Sequence, residues 1–427
     1  MMVEKRTPVP VGEAVHRLST QNVSGKTELI PLEQSFGRIL AEDIYASHDV
    51  PAFDRSPYDG FAVRAADTQN ASQDEPVRFK VVGEIGAGSL FTGEVKPLQA
   101  VRIMTGAPIP AGCDAVVMLE LTKEISRDEI EIKRAFPQGA NISRQGEDTK
   151  KGTVLVRRGM TINPGAVALL ATFGYRHVKV AVKPLIGILA TGSELVDVDE
   201  PLAPGKIRNS NAYMLIAQIE RAGGKAVYFG KLDDEFEACL KAVKQALTEV
   251  DFLVISGGVS VGDYDYVPAI LQEVKASVLF NKVGMRPGSV TTAATVGEKL
   301  IFGLSGNPSA CYVGFELFVR PMIRKALLAD KLHLRKVQAV LGTDFPKPNP
   351  FMRFVRARLS HQAEKLFAAP SGKDKSGIVS SLGETDCFIV LPSGTRGYEK
   401  GMVVDVLLLE DDEGSEWPWN DIVRSYK

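Results

Sequence analysis

The chain has 427 residues, 44% hydrophobic and 24% charged, the balance of a soluble globular protein of about three domains. Its 51 basic and 52 acidic residues give a formal net charge of −1, which argues against a nucleic-acid protein driven by a basic surface. Cys113, Cys239, Cys311 and Cys387 are far apart with no C-x-x-C, so neither a zinc site nor a disulfide framework is indicated. No run approaches the ~18 apolar residues of a membrane span. The start, MMVEKRTPVP, lacks the apolar core of a signal peptide, so the expected compartment is the reducing cytoplasm. Five histidines are scattered, with no ligand-like pair.

Residues 8–50 read as helix, then strand: Val11, Val15 and Leu18 have helical spacing, and Leu29, Ile30 and Leu32 mark a short strand. Residues 51–67, PAFDRSPYDGFAVRAAD, are an irregular segment leading into a strand at 61–64, with Asp59-Gly60 as a turn before it. Residues 77–145 alternate apolar and polar between Gly/Pro turns and read as all-β. They include a Pro/Gly-rich loop carrying Thr105 and end in the polar loop NISRQGED.

Residues 183–328 alternate strand and helix, which implies an open parallel sheet with right-handed crossovers. An apolar strand at 185–190 runs into Thr191-Gly192-Ser193-Glu194. Ser210 is placed to cap a helix that ends at Gly223-Gly224, and Asp234 with Glu237 forms a capping box for the next. The organising stretch is 250–266, VDFLVISGGVSVGDYDY. A strand buried on both faces opens there into a Gly/Ser loop, Ser256-Gly257-Gly258-Val259-Ser260-Val261-Gly262, followed by Asp263 and Asp265. Strands at 278–283 and 300–304 follow, then a helix opened by Asn307-Pro308 and interrupted by Pro321. Residues 335–409 return to short strands, a small β-barrel or sandwich, before a tail carrying Trp417-Pro418-Trp419.

In an open parallel sheet the carboxyl ends of the strands share one crevice. Glu194, Asp233, Asp263, Asp265, Lys282, Arg286 and the segment Ser305-Gly306-Asn307-Pro308-Ser309 all follow predicted strands. Gly-rich turns and the helix start at Asn307 would offer N–H groups to an anion, with Lys282 and Arg286 adding positive charge. The carboxylates need a hard cation to tolerate an anion, and Mg2+ is the economical one. The chemistry this favours is phosphate or oxyanion chemistry.

Taken together, the stretches GRILAEDI, PAFDRSPYDGFAVRAAD, VRIMTGAPIPAGCDAVV, GED, ATGSEL, NSNAYML, SGGVSVGDYDY and LSGNPSA resemble the molybdopterin molybdenumtransferases, the MoeA proteins and the related domain of gephyrin. The resemblance runs from about residue 8 to residue 409. It implies a homodimer of four-domain subunits that converts adenylylated molybdopterin and molybdate to molybdenum cofactor and AMP. The domains would be a discontinuous linker and dimerisation region (1–50 and 146–182), an inserted β domain (51–145), the molybdopterin-binding α/β domain (183–330) and a C-terminal β-barrel with tail (331–427). The active cleft would lie between subunits, bringing Asp59, Thr105 and Asp148 of one to Glu194, Asp233 and Asp265 of the other.

The resemblance assigns catalytic work to Asp59, Glu194, Asp233 and Asp265, with Mg2+ on Glu194 and Asp265. It implies substrate contacts for Thr105, Asp148, Thr191, Gly192, Ser193, Ser256, Gly257, Gly258, Ser260, Gly262, Lys282, Arg286, Pro287, Gly306, Asn307 and Pro308. The chain departs from the family at Arg286-Pro287-Gly288-Ser289-Val290, where K-P-G-K-P is common, and at Ser143, where many members carry arginine. Whether Arg144 compensates is open on the sequence. So are three alternatives: a molybdopterin adenylyltransferase, a tungstate-inserting variant and a non-catalytic molybdopterin-binding scaffold. Transient contacts with the adenylylating enzyme and apo-molybdoenzymes are also implied; nucleic acid and membrane are not.

Overall fold

The strand–helix alternation after residue 183 builds the expected sheet. The computed structural model describes residues 7–232, 235–259, 266–362, 364–411 and 413–422. It divides into two compact units: Met1–Glu42, Arg158–Val167 and His177–Lys427 form one, and Asp43–Arg157 with Ala168–Arg176 the other.

In the first unit, Lys225–Leu232, Leu185–Thr191, Phe252–Ser256 and Lys299–Leu304 lie side by side, all parallel. The central strand alternates between two cores. Phe252 and Val254 pack with Leu215 and Ile219 of helix Ser210–Ala222, while Leu253 and Ile255 pack with Val243 of helix Phe236–Glu249 and Ile270 of helix Val267–Glu273. Burial on both faces is why this strand reads as an unbroken apolar run. The sheet is not wholly parallel. Thr292–Val296 returns antiparallel against Lys299–Leu304 through a turn at Gly297, and Ser277–Phe280 closes the edge.

One helix boundary differs from the sequence reading. The cap of helix Ser210–Ala222 is Asn209, whose side-chain oxygen accepts from Ala212 N–H at 3.2 Å. Ser210 is the first helical residue. Residue 234, read as part of a capping box, lies outside the described residues. The interruption at Pro321 takes the form of a restart: helix Pro308–Gly314 widens into a π-turn at Phe315–Val319 before resuming as Arg320–Ala326. Proline has no N–H to give the preceding turn, and the π-turn absorbs the lost bond.

The C-terminal strands close on themselves. Met352–Gln362, Lys365–Pro370, Lys336–Leu341, Val403–Leu408 and Cys387–Leu391 pair in a ring, with Met285–Arg286 added beside Met352 and Arg353. Closure removes exposed edges. The tail docks: Trp417 and Trp419 stand edge-on to His333 at 5.7 and 6.3 Å, and Trp419 meets Phe354 at 6.2 Å.

The second unit holds a six-stranded sheet in the order Ala115–Met118, Gly60–Val63, Gln99–Ile103, Val77–Ile85, Glu129–Ile132 and Thr122–Ser126. Phe61 and Val63 face one core, Ala62 the other.

Candidate active site

A cleft of about 710 Å3 opens at the carboxyl ends of the parallel strands. Glycine sets its walls. Strand Leu185–Thr191 ends at Gly192, φ +147°, where a Cβ would lie 2.5 Å from a Glu194 carboxylate oxygen. The Glu194 carboxylate therefore folds back over the Gly192 backbone. The central strand turns at Gly257 and Gly258, φ +97° and +62°. A Cβ on Gly257 would come within 2.4 Å of the Thr191 carbonyl oxygen, so the two strand ends touch backbone to backbone.

The floor is tied by asparagines. Asn211, 8% exposed, donates from Nδ2 to Ser256 Oγ at 3.0 Å and to the Gly306 carbonyl at 2.9 Å. Asn209, 2% exposed, donates to Tyr228 Oη at 2.9 Å. Beneath Ser256, burial pushes the Cys311 thiol up to about 12, which leaves it protonated and inert near neutral pH. On the rim, Lys206 Nζ donates to the Ser193 carbonyl at 2.5 Å. Arg208 Nη1 clamps the carbonyls of Asp197, Val198 and Glu200 at 3.1, 2.7 and 2.7 Å. Arg208 is the basic residue lining the cleft among the described residues.

The helix start at Asn307 does not present free amides. Asn307 N–H donates to Ser305 Oγ at 3.2 Å, Pro308 has none, and Ser309 N–H donates to the Ser376 carbonyl at 3.0 Å. Ala310 and Cys311 N–H both bond back to the Asn307 carbonyl. The amides of this terminus are thus bonded within the chain, and Gly306, Asn307 and Pro308 line the cleft.

Lys282 and Arg286 are not among the residues that line it. Strand Ser277–Phe280 ends before Lys282, whose carbonyl accepts from Val9 N–H at 2.9 Å. Arg286 and Pro287 line a separate hollow of about 210 Å3 with Ser289, Arg353, Lys375 and Ser376. One segment lies between the two spaces: Ser376 faces the hollow, while Gly377 and Val379 line the cleft.

In the second unit the segments carrying Asp59, Thr105 and Asp148 meet at one edge. Asp59 Oδ1 accepts from Thr105 N–H at 2.7 Å and from Thr105 Oγ1 at 2.9 Å. These bonds, the backbone one first, hold the exposed Asp59 carboxyl below the usual carboxylate range. Arg55 exchanges backbone bonds with Ser143, each 2.9 Å. Arg144 pairs with Asp54 at 2.6 Å, so its charge is engaged there. Asp148 is exposed, its N–H bonded to the Val50 carbonyl at 3.1 Å.

Of the residues expected from the sequence, Thr191, Gly192, Glu194, Ser256, Gly257, Gly258, Gly306, Asn307 and Pro308 line the cleft together. Ser193 sits beside it on the Lys206 bond. Asp233, Ser260, Gly262, Asp263 and Asp265 lie outside the described residues. Sequence reasoning missed Arg208, Asn209 and Asn211. The quoted stretch NSNAYML held two of them, and paired asparagines before an amphipathic helix are a usable signal, because short amides favour capping over helix interiors.

An open α/β sheet with a glycine-walled polar cleft at its strand ends, joined to a closed β-barrel, defines a ligand-binding α/β protein with accessory β domains. Residues 9–174 match the MoeA N-terminal region (domain I and II), 187–325 the probable molybdopterin binding domain and 338–409 the MoeA C-terminal region (domain IV). The chain is 58% identical over 429 aligned positions to the molybdopterin molybdenumtransferase of Bacillus subtilis (strain 168), covering 100% of both. It is 48% identical to that of Staphylococcus aureus (strain COL), covering 97% and 99%. The crystal structure of the molybdopterin biosynthesis MoeA protein from Pyrococcus horikoshii OT3 superposes with a TM-score of 0.82 at 33% identity, covering 94% of this chain and 100% of that one. The chain belongs to the molybdopterin molybdenumtransferase, or MoeA, family.

Proposed function

We propose that the protein inserts molybdate into adenylylated molybdopterin and releases AMP, the last step of molybdenum cofactor assembly. The observation that carries this reading is the full-length likeness to a molybdopterin molybdenumtransferase, 58% identical with all three family regions in order. The cleft supports it. Gly192, Gly257 and Gly258 line it, their missing side chains letting the Thr191 strand end and the Glu194 carboxylate close on the backbone, and Glu194 stands over that surface.

A hard cation takes oxygen ligands and usually keeps substrate phosphates among them, so one or two protein carboxylates suffice. Glu194 fits that requirement, with Asp265 as second ligand; among the described residues no cluster of three metal-ligating side chains offers a closed all-protein site. Mg2+ bound there would polarise the pyrophosphate linkage of the substrate. The chain's own contribution is positioning. Thr191, Ser256 and the glycines hold the pyrophosphate, and Asp59, fixed by Thr105, keeps an ionised carboxylate presented to solvent. Arg286, with Lys375 in the same hollow, offers charge for molybdate oxygens; the two dithiolene thiols replace two of those oxygens, which leave with the thiol protons as water, and one water splits the phosphoanhydride to release AMP.

The homodimer, the four-domain division and a cytoplasmic location belong to the same reading. In the dimer, the Asp59–Thr105–Asp148 edge of one subunit serves the cleft of the other, including Asp233. For location, no helix among the described residues is long and apolar enough to cross a membrane.

The test is reconstitution of the purified protein with adenylylated molybdopterin, molybdate and Mg2+, following AMP. Molybdate-dependent release that activates an apo-molybdoenzyme is the expected result. Release with tungstate alone redirects the substrate, pyrophosphate from ATP and molybdopterin favours an adenylyltransferase, and tight binding without turnover favours a scaffold. Asp59→Asn and Glu194→Gln should each abolish release with the fold intact; full activity in both refutes these assignments.

A further inference from the structure

We infer that Asn211 is a positioning residue for substrate binding, the side chain that sets the spacing of the cleft floor. The inference rests on the proposed reaction. Its amide reaches two elements that are distant in sequence but adjacent in the cleft: Ser256, at the end of the central strand, and Gly306, in the loop before the last helix. Both acceptors line the cleft, and each immediately precedes backbone that lines it, Gly257 and Asn307. A Cβ built on Gly306 would lie 3.7 Å from the Gly257 Cα, so these backbones run in contact. A change at Asn211 therefore alters the distance between the two surfaces against which a bound phosphate ester would sit.

The general spacing of the helices does not depend on this residue. Deeper along helix Ser210–Ala222, Gln218 and Arg221 donate to Glu316 Oε1 at 2.7 and 2.5 Å, with the Glu316 side chain 0% exposed. That buried network ties the helix to the π-turn independently of Asn211. It separates two effects of substitution: loss of cleft geometry, which Asn211 controls, and loss of fold, which the Glu316 network resists. Asn211 itself lines the cleft, but its amide hydrogens are engaged by Ser256 and Gly306, so it acts through those two elements. Its effect therefore falls on ground-state and transition-state binding alike, which raises KM and leaves kcat.

Asn211→Leu removes both donors at similar size without adding charge, whereas Asn211→Asp would set a carboxylate beside an anionic substrate. Ser256→Ala removes one acceptor and is a smaller change should the first variant fold poorly. Steady-state AMP release would be measured for the wild type, both single variants and the double variant, with melting temperatures. The expected result is a rise of at least about tenfold in KM for adenylylated molybdopterin in N211L with kcat within about threefold, a smaller rise in S256A, and a double variant below the product of the two, because they share one bond. A KM within about threefold of wild type in N211L, or unchanged in S256A should N211L not fold, overturns the inference. Failure of the wild type to release AMP refutes the proposed reaction instead, so the two failures are distinguishable.

Discussion

Replacing Gly257 by alanine adds one carbon where the structure has no space for it. The new Cβ would lie 2.4 Å from the Thr191 carbonyl oxygen and 3.0 Å from its Oγ1, well inside the ~3.5 Å at which carbon contacts turn attractive. The carbonyl belongs to a strand paired on both sides, so it does not yield. Relief requires the Gly257 turn to part from the end of the neighbouring strand. A non-glycine residue at φ +97° adds about 1–2 kcal/mol, and overpacking about 1–3 kcal/mol, for a total near 2–5 kcal/mol. Gly258→Ala is the control. Its Cβ would come tight against Thr191 Oγ1 at 3.0 Å, a side-chain atom that can rotate away, with Val267 and Tyr266 at ordinary contact, 3.7 and 3.9 Å, and φ +62° lies in the ordinary left-handed region. The cost there is about 1 kcal/mol. Urea unfolding by circular dichroism should rank Gly257→Ala well below Gly258→Ala. AMP release should be lost in the first and reduced in the second. Thr191→Ala should relieve the second variant and not the first. Equal stabilities for the two variants, or relief of both by Thr191→Ala, would show that the strand ends are not in backbone contact.

Two further outcomes test separate parts of the account. If the cleft is shared in a homodimer, Asp59→Asn subunits mixed and reassociated with Glu194→Gln subunits should recover about a quarter of wild-type activity, since half the dimers are mixed and each mixed dimer has one intact cleft. Recovery at the level of the separate variants would place both acids in one subunit's cleft. Burial, aided by the nearby Arg320, lowers His333 from 6.5 to about 4. The unfolded imidazole takes up its proton first, so stability is full above pH 6.5 and falls by up to about 3 kcal/mol between 6.5 and 4. His333→Gln should remove that part of the pH dependence in urea titrations, and an unchanged slope would mean His333 is not held neutral.

Much of the site was legible because its elements are local. Strand 252–256 with its glycines, and 185–191 with Glu194, each announce themselves within a few residues. What was not legible depends on partners far along the chain. The amide of Ser309 looks free at a helix start until Ser376, 67 positions later, takes it. Arg286 follows a strand of the α/β sheet in sequence, yet pairs beside Arg353 of the barrel. Strand Thr292–Val296 went unread because TAATV is short, built of small residues and carries two threonines, a weak strand signal until its antiparallel neighbour is in place. Asn211 was hidden in a quoted stretch because a buried amide shows its purpose only when both acceptors are in place.

The segment between the barrel and the cleft has a consequence for modularity. Ser309 holds it through Ser376 and, by its hydroxyl, through the Ile378 carbonyl at 2.6 Å, while Asp374 anchors it to Arg353 of the barrel at 2.7 Å. Gly377 and Val379 then complete the cleft wall. The α/β domain is thus not a self-sufficient cassette. Excised, it would keep its sheet and floor but expose an open shelf. A barrel exchanged from a relative would change how tightly the substrate is enclosed without altering any residue of the α/β domain.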